Sequence, residues 1–242
     1  MDGTRVQILS DIEDWIRNLE AQRIFWIAGM AGTGKTAIAQ TVCSRVREHT
    51  EVVLGGSFFC SRSTGSVAQR EVRCIVPTLA RLLARQSAIF SEALAAQLTR
   101  DPDIPNHRVS EQVRYLLYEP LLALKDFHFP IVFVIDALDE CGGQPSTGMV
   151  SNNTESHRIV SELLVALVNL SRSTISISVK FLVTSRPETH IRDTPISDDT
   201  INKVLHLHTV NKLQVTADIH FYIFTRLSSN SKLRARFTDD HL

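Results

Sequence analysis

The sequence predicts an α/β fold, in which helices cover both faces of a mainly parallel sheet. Short apolar runs without polar–apolar alternation recur along the chain, which is typical of strands buried on both faces. The clearest run is Ile-Val-Phe-Val-Ile at residues 131–135. Segments with helical spacing of apolar residues separate these runs. Strands that alternate with helices predict a parallel sheet.

The predicted elements follow in order. A helix with apolar residues Ile8 to Leu19 comes first, and Thr4–Gln7 or Ser10–Glu13 is expected to cap its start. The predicted strands span residues 23–28, 52–60, 131–135, 178–184 and 203–208. The predicted helices cover residues 36–48, 72–83, 88–98, 109–127, 159–170 and 215–227. Gly55-Gly56 predicts a bulge or a close approach, and residues 142–154 an exposed, mobile loop.

Composition excludes several classes of function. The 242 residues contain 26 basic and 26 acidic side chains, so the overall charge favours neither a nucleic acid nor a membrane surface as partner. No apolar run reaches the roughly 20 residues that cross a bilayer, and the first residues do not resemble a signal peptide. The four cysteines are widely spaced. We therefore expect a soluble cytoplasmic protein with reduced thiols.

A glycine-rich loop follows the first predicted strand. Its sequence, Gly29-Met30-Ala31-Gly32-Thr33-Gly34-Lys35-Thr36, fits G-x-x-x-x-G-K-[ST]. Glycines allow successive main-chain N–H groups to point at phosphate oxygens, and the next helix adds its positive N-terminus. Lys35 is expected on the β and γ phosphates, and Thr36 on Mg²⁺. Since strand, loop and helix occur in this order, we favour a nucleotide-binding loop over a plain helix-entry turn.

Three acids follow the strand at 131–135. Ligands of open α/β sheets bind beyond the carboxyl ends of strands, so Asp136 is expected beside Thr36 as a ligand of Mg²⁺. Asp139 or Glu140 would then activate the attacking water as a catalytic residue. The alternative is that these acids cap a helix or lie in solvent.

A basic residue follows the fourth predicted strand. Arg186 is expected to contact the γ-phosphate or to stabilise the transition state; the alternative is a surface arginine in the turn before Pro187. His206 and His208 share one strand face but favour a packed or solvated pair over a metal site. The basic residues between Arg62 and Arg85 are expected to be solvated.

With these elements in this order, the chain resembles the NACHT domain of fungal STAND-class P-loop NTPases, intracellular receptors related in architecture to animal NOD-like receptors. The stretches that carry the resemblance are Gly3-Thr-Arg5, the loop region 23–36, Gly56-Ser-Phe-Phe-Cys60, Val76-Pro-Thr-Leu-Ala80, Val134-Ile-Asp-Ala-Leu-Asp-Glu-Cys141 and Phe181-Leu-Val-Thr-Ser-Arg-Pro-Glu188. The most discriminating of them is the acidic stretch that contains Asp136, Asp139 and Glu140.

The resemblance implies a three-layer sandwich with five strands in the order 5-1-4-3-2 and helices at both ends. It implies a linker helix at 1–22, a nucleotide-binding domain at 23–210 and the start of a truncated helical subdomain at 211–242. Asp139 is the residue that usually activates water in such proteins, with Glu140 as the alternative.

The family's mechanism implies a switch between ADP and ATP states, with Mg²⁺ as cofactor and GTP as the alternative nucleotide. Activation forms a homo-oligomer in non-self recognition or programmed cell death, and hydrolysis resets the switch. The effector and repeat domains of the family are expected to be absent from this chain.

Two other functions remain open at this point. A non-catalytic module would bind nucleotide tightly with negligible turnover. A P-loop kinase for small molecules would need an arginine-rich lid, which the sequence does not suggest.

Overall fold

The fold was analysed in a computed structural model, which describes residues 5–62, 67–125, 127–141, 151–173, 177–192, 202–207 and 224. The expected helix at 215–227, the subdomain at 211–242 and His208 lie outside this set, apart from residue 224. The helices are α1 (Val6–Arg17), α2 (Lys35–Glu48), α3 (Ile75–Ala84), α4 (Ala88–Arg100), α5 (Val109–Gln112), α6 (Glu119–Leu121), α7 (Ser151–Arg172) and α8 (Thr189–Arg192). The strands are β1 (Ile24–Ala28), β2 (Val53–Phe59), β3 (Ile131–Asp136), β4 (Val179–Ser185) and β5 (Asn202–His206).

The five strands form one parallel sheet in the order β2-β3-β4-β1-β5. Counted from the opposite edge, this is the order 5-1-4-3-2. Strand β4 lies between β1 and β3, with Ala28 of β1 opposite Ser185 and Ile135 of β3 opposite Val183. The residues that follow β1, β3 and β4 therefore meet at the end of the sheet where the carboxyl ends of these strands lie.

Two separate apolar cores lie on the two faces of the sheet. Alternate residues of β3 divide between them: Phe133 packs with α3, α4, α7 and the α5–α6 region, and Val134 packs with α1 and α2. All six residues of β3 are buried. The predicted α/β fold with three layers is confirmed, and the absence of alternation in β3 has the expected cause, burial on both faces.

The pair Gly55-Gly56 in β2 forms the predicted irregularity. The register of β2 against β3 shifts between Leu54 and Gly56. A Cβ atom at Gly55 would lie 2.6 Å from side-chain atoms of both Ile131 and Phe133. Only glycine fits this close approach without displacing these two side chains.

Several local predictions differ from the structure. Helix α1 begins after Arg5 without a side-chain cap, so Ser10–Glu13 lies inside the helix and the predicted capping box there is wrong; Thr4 lies outside the described residues. Helix α7 begins at Ser151, so the loop predicted at 142–154 is wrong for its last residues, and 142–150 lie outside the described set.

The helix predicted at 109–127 ends earlier than expected. It consists of α5, a π-helical segment Val113–Tyr118 and α6, which ends at Leu121. Pro120 lies in the first turn of α6, and because a proline has no main-chain N–H, the hydrogen bond back to the preceding turn is missing there. None of the helices in the described part of the chain is long and apolar enough to cross a membrane.

Candidate functional site

The Gly29–Thr36 loop joins β1 to α2 at the carboxyl edge of the sheet. Gly32 and Gly34 have φ angles of 76° and 89°, in the left-handed region that glycine adopts at little cost. Gly34 directly precedes α2, so the loop curls over the positive end of that helix. The side chains of Met30 and Ala31 face solvent, and these two residues therefore contribute main chain to the loop.

The Lys35 ammonium lies inside the curl of this loop. Its Nζ donates to the carbonyl oxygens of Gly29 and Met30 at 2.6 and 2.9 Å. Burial lowers the pKa of Lys35, while the charge of Asp139 raises it; Arg186, Asp136 and Glu140 also act on it. These five charged side chains therefore surround one small region at the edge of the sheet.

Asp136, the last residue of β3, is buried and held by two hydroxyl groups. Thr184 Oγ1 donates to Asp136 Oδ1 at 2.6 Å, and the Thr36 hydroxyl also hydrogen-bonds to this carboxylate. Burial raises the pKa of Asp136, and the bonds from Thr184 and Thr36 oppose that rise. Thr36, at the start of α2, and Asp136 are thus in contact, as the sequence predicted.

Asp139 and Arg186 form an ion pair beside Lys35. Arg186 Nε lies 3.3 Å from Asp139 Oδ2, and the Arg186 main-chain N–H donates to Asp139 Oδ1 at 2.9 Å. The Asp139 side chain is 4% exposed and that of Arg186 is 45% exposed. Both carboxylate oxygens of Asp139 are therefore engaged by one residue. Arg186 is therefore not a free surface arginine.

Arg62 is a site residue that the sequence interpretation missed. Its guanidinium donates to the main-chain oxygen of Asp139, and its main-chain N–H donates to Glu140 Oε2 at 3.3 Å. Arg62 is exposed, as expected for a solvated side chain, but it also contacts the acid turn, which was not expected. A signal was present, because Arg62 lies three residues beyond β2, and β2 is parallel to β3 and ends opposite Asp136.

The acid stretch turns sharply between β3 and Asp139. Ala137 has a φ angle of 54°, which is uncommon for a residue with a side chain. Its N–H donates to Thr184 Oγ1 at 2.9 Å, and its oxygen accepts from the N–H of Glu140 at 2.7 Å. Residues Leu138–Glu140 form one short 3₁₀ turn. Asp139 and Glu140 therefore lie in this short turn and do not cap the N-terminus of an α-helix, which was the alternative to a catalytic role.

The donor set at Thr36 and Asp136 fits Mg²⁺. No cluster of three or more His, Cys, Asp or Glu side chains suited to a metal occurs among the residues described. Mg²⁺ does not require one, because it keeps several waters and binds through one or two carboxylates together with phosphates. Here a hydroxyl and a buried carboxylate, both oxygen donors, meet beside the phosphate loop.

Comparison with protein-family models gives one match. The model described as "Nephrocystin 3, N-terminal" matches residues 3–186, about three quarters of the chain. The matched range includes the loop, all three acids and Arg186. No curated protein sequence matches the chain.

Solved structures of similar fold include the ADPNP–ADP complexes of the Aeropyrum pernix ORC2 protein, with a TM-score of 0.46, 14% identity, and coverage of 94% of this chain and 50% of that one. The pCW3 conjugation coupling protein TcpA, solved with ATPγS, has a TM-score of 0.33 and 15% identity over 73% and 48% of the two chains. The Pif1 helicase of Candida albicans has a TM-score of 0.34 and 13% identity over 83% and 38%. The chain spans about half the length, or less, of these proteins.

Proposed function

This chain belongs to the family described as nephrocystin 3, N-terminal, a NACHT-like region. On that premise, we propose that it is a slow NTPase that binds Mg-ATP, or GTP, and acts as a switch. The observation that carries the proposal is the convergence of Lys35, Asp136, Asp139 and Arg186 at the phosphate loop. A triphosphate brings negative charge and a divalent cation to one place. The two cationic side chains match the charge of the phosphates, and the two buried carboxylates match the divalent cation and the attacking water.

Each part of the site has a distinct role in this proposal. The loop N–H groups and the N-terminus of α2 bind phosphate oxygens, and Lys35 moves from the carbonyls of Gly29 and Met30 to the β and γ phosphates. Thr36 and Asp136 hold Mg²⁺, which neutralises charge on the phosphate oxygens when bound. Asp139 orients the attacking water and accepts its proton.

The ion pair of Asp139 with Arg186 supports a switch rather than a constantly active hydrolase. While the Arg186 guanidinium pairs with Oδ2 of Asp139, that oxygen is a weaker acceptor for the proton of a water molecule. A γ-phosphate competes for the guanidinium, because phosphate oxygens are strong acceptors for arginine. ATP therefore frees Oδ2 of Asp139 from the guanidinium, whereas ADP, which lacks the γ-phosphate, leaves the ion pair intact.

The experiment is a comparison of nucleotide affinity and turnover in the wild type and three variants, Lys35→Ala, Asp139→Asn and Arg186→Ala. Fluorescent ATP and ADP analogues report affinity, and phosphate release reports turnover. The proposal expects weak binding of both nucleotides in Lys35→Ala, and binding without turnover in Asp139→Asn. Normal ATP binding by Lys35→Ala would refute it.

A second function, nucleotide binding without catalysis, is favoured by the same ion pair. If the pair of Asp139 with Arg186 persists when ATP is bound, the module holds nucleotide and does not hydrolyse it. If the wild type releases phosphate no faster than Asp139→Asn does, within experimental error, the result favours this function. Conversely, a measurable rate that Asp139→Asn removes would favour the switch.

We further propose that the ATP state associates into a homo-oligomer in an intracellular signalling protein, in non-self recognition or cell death. Light scattering after size-exclusion chromatography tests the association. A larger mass with a non-hydrolysable ATP analogue than with ADP is expected. Equal masses at concentrations well above the nucleotide dissociation constants would contradict it.

A further inference from the structure

Thr184 lies where three parts of the site meet. Along β3 and β4, Val134 and Leu182 face the core beneath α1 and α2. Two residues further along each strand are Asp136 and Thr184, and side chains two apart point to the same face. Both therefore face the start of α2, where Thr36 lies.

The hydrogen bonds of the Thr184 hydroxyl have fixed directions. The Ala137 N–H can only donate, so Thr184 Oγ1 accepts from it at 2.9 Å. The hydroxyl proton is then directed to Asp136 Oδ1, at 2.6 Å. Thr184 is fully buried, at 0% exposure, so water does not replace these bonds in the closed core. One hydroxyl thus fixes a carboxylate and the turn that follows it.

We propose that Thr184 is a positioning residue that orients the Asp136 carboxylate for Mg²⁺ and holds the turn leading to Asp139. This inference rests on the proposed function. A carboxylate bound on one oxygen by a rigid β-branched residue has fewer orientations, so its remaining lone pairs stay directed toward Thr36 and the cation. Partners that orient metal ligands in this way typically change metal affinity 10- to 100-fold when they are removed.

Valine is the matched substitution, because it has the shape of threonine and lacks the hydroxyl. In Thr184→Val, the Mg²⁺ concentration that gives half-maximal tightening of ATP binding is expected to rise about 10-fold or more. ATP affinity in excess EDTA, which depends on the loop and Lys35, is expected to stay within about 2-fold of the wild type. Thr184→Ser keeps the hydroxyl and is expected to restore the wild-type Mg²⁺ dependence.

The control is Thr41→Val on α2, where the hydroxyl donates only to the Ala37 carbonyl at 2.8 Å. Its Mg²⁺ dependence is expected to match the wild type. If Thr184→Val does not fold by circular dichroism, Thr184→Ala, which removes the same hydroxyl with a smaller side chain, carries the same expectation.

The outcomes separate this inference from the proposed function. A wild-type Mg²⁺ midpoint in Thr184→Val, or equal losses with EDTA and with Mg²⁺, would overturn the positioning role while leaving nucleotide binding intact. A loss in Thr184→Ser equal to that in Thr184→Val would also overturn it. If the wild type bound no nucleotide, the proposed function itself would fail.

Discussion

Arg186 holds Asp139 by two contacts, its main-chain N–H on Oδ1 at 2.9 Å and its Nε near Oδ2 at 3.3 Å. The two residues follow different strands, β3 and β4, which are neighbours in the sheet. Their pairing links the side chain proposed to detect the γ-phosphate with the side chain proposed to activate water. A guanidinium that moves to a γ-phosphate therefore releases Oδ2 of Asp139, while Oδ1 keeps its main-chain hydrogen bond.

Neutralising Asp139 is expected to separate binding from turnover. Asp139→Asn removes the charge that holds Arg186, so the guanidinium meets a γ-phosphate without first breaking an ion pair. The ratio of ATP to ADP affinity should rise about 3- to 10-fold, the scale of a half-exposed pair, and phosphate release should fall about 100-fold or more. Titration with fluorescent nucleotides and a phosphate-release assay measure the two effects.

Glu140→Gln is the matched comparison for that experiment. Glu140 is one residue away, and its Oε2 accepts from the Arg62 main-chain N–H rather than from Arg186. Its turnover is expected to stay within about 5-fold of the wild type. A larger loss in Glu140→Gln than in Asp139→Asn would assign water activation to Glu140 instead.

Removing the Arg186 side chain is expected to abolish discrimination between ATP and ADP. Alanine offers the γ-phosphate no guanidinium, so the two affinities should converge to within about 2-fold, because arginine contributes charge-assisted bonds to phosphate. Arg81→Ala, at an exposed position on α3, is the control. An unchanged ATP preference in Arg186→Ala would show that this residue does not detect the γ-phosphate.

Arg62 is expected to support turnover without contributing to affinity. Its guanidinium binds the main-chain oxygen of Asp139, so Arg62→Ala loosens the acid turn but leaves the phosphate loop unchanged. We expect phosphate release to fall about 3- to 30-fold while the ATP dissociation constant changes less than 2-fold. Arg73→Ala, at an exposed arginine nearby in sequence, serves as the control. An equal loss of phosphate release in Arg62→Ala and Arg73→Ala would show that Arg62 has no specific role in turnover.

Lys180 predicts a specific pH dependence of stability. This buried lysine at the start of β4 donates to the carbonyl oxygens of Trp15 and Asn18 at the end of α1. Burial lowers its pKa from 10.5 to about 8, with the charge of Arg23 acting in the same direction. Between pH 8 and 10.5 the unfolded chain therefore binds more protons at this residue, so its contribution to the free energy of unfolding should rise with pH.

Chemical denaturation at pH 7.5, 9 and 10 tests that contribution as a difference between the wild type and Lys180→Met. The buried thiols Cys43 and Cys60 have raised pKa values and act in the opposite direction, but they are common to both proteins and cancel. The wild type should gain stability relative to Lys180→Met as pH rises. A constant difference across this range would contradict the titration of Lys180.

The sequence was sufficient for the fold and the phosphate loop because their signals are local. Strand β3 is a continuous apolar run, and the glycines of the loop stand at fixed spacing from Lys35. Asp136 and Arg186 could be placed as well, since each follows a strand of a parallel sheet. Because the carboxyl ends of parallel strands lie at the same end of a sheet, the sequence alone predicts that these two residues are close together.

The pairings within the site could not be predicted from the sequence. Asp139 with Arg186, and Asp136 with Thr184, join residues 47 and 48 positions apart, and several side chains at the same edge were equally plausible partners. Arg62 was missed because its role depends on a main-chain oxygen, which carries no sequence signal. The burial of Lys180 was missed because its partners, the carbonyl oxygens at the end of α1, are known only once the packing of α1 against β4 is known.

The most direct test of a nucleotide-binding site at the Gly29–Thr36 loop is equilibrium binding of Mg-ATP to Lys35→Ala and Lys125→Ala. Lys35 lies in the loop, whereas Lys125 is an exposed lysine that precedes β3 in the sequence. We predict that Lys35→Ala weakens ATP binding at least about 100-fold, on the scale of lost charge-assisted hydrogen bonds, and that Lys125→Ala binds as the wild type does. Wild-type affinity in Lys35→Ala, with its fold intact, would contradict the account.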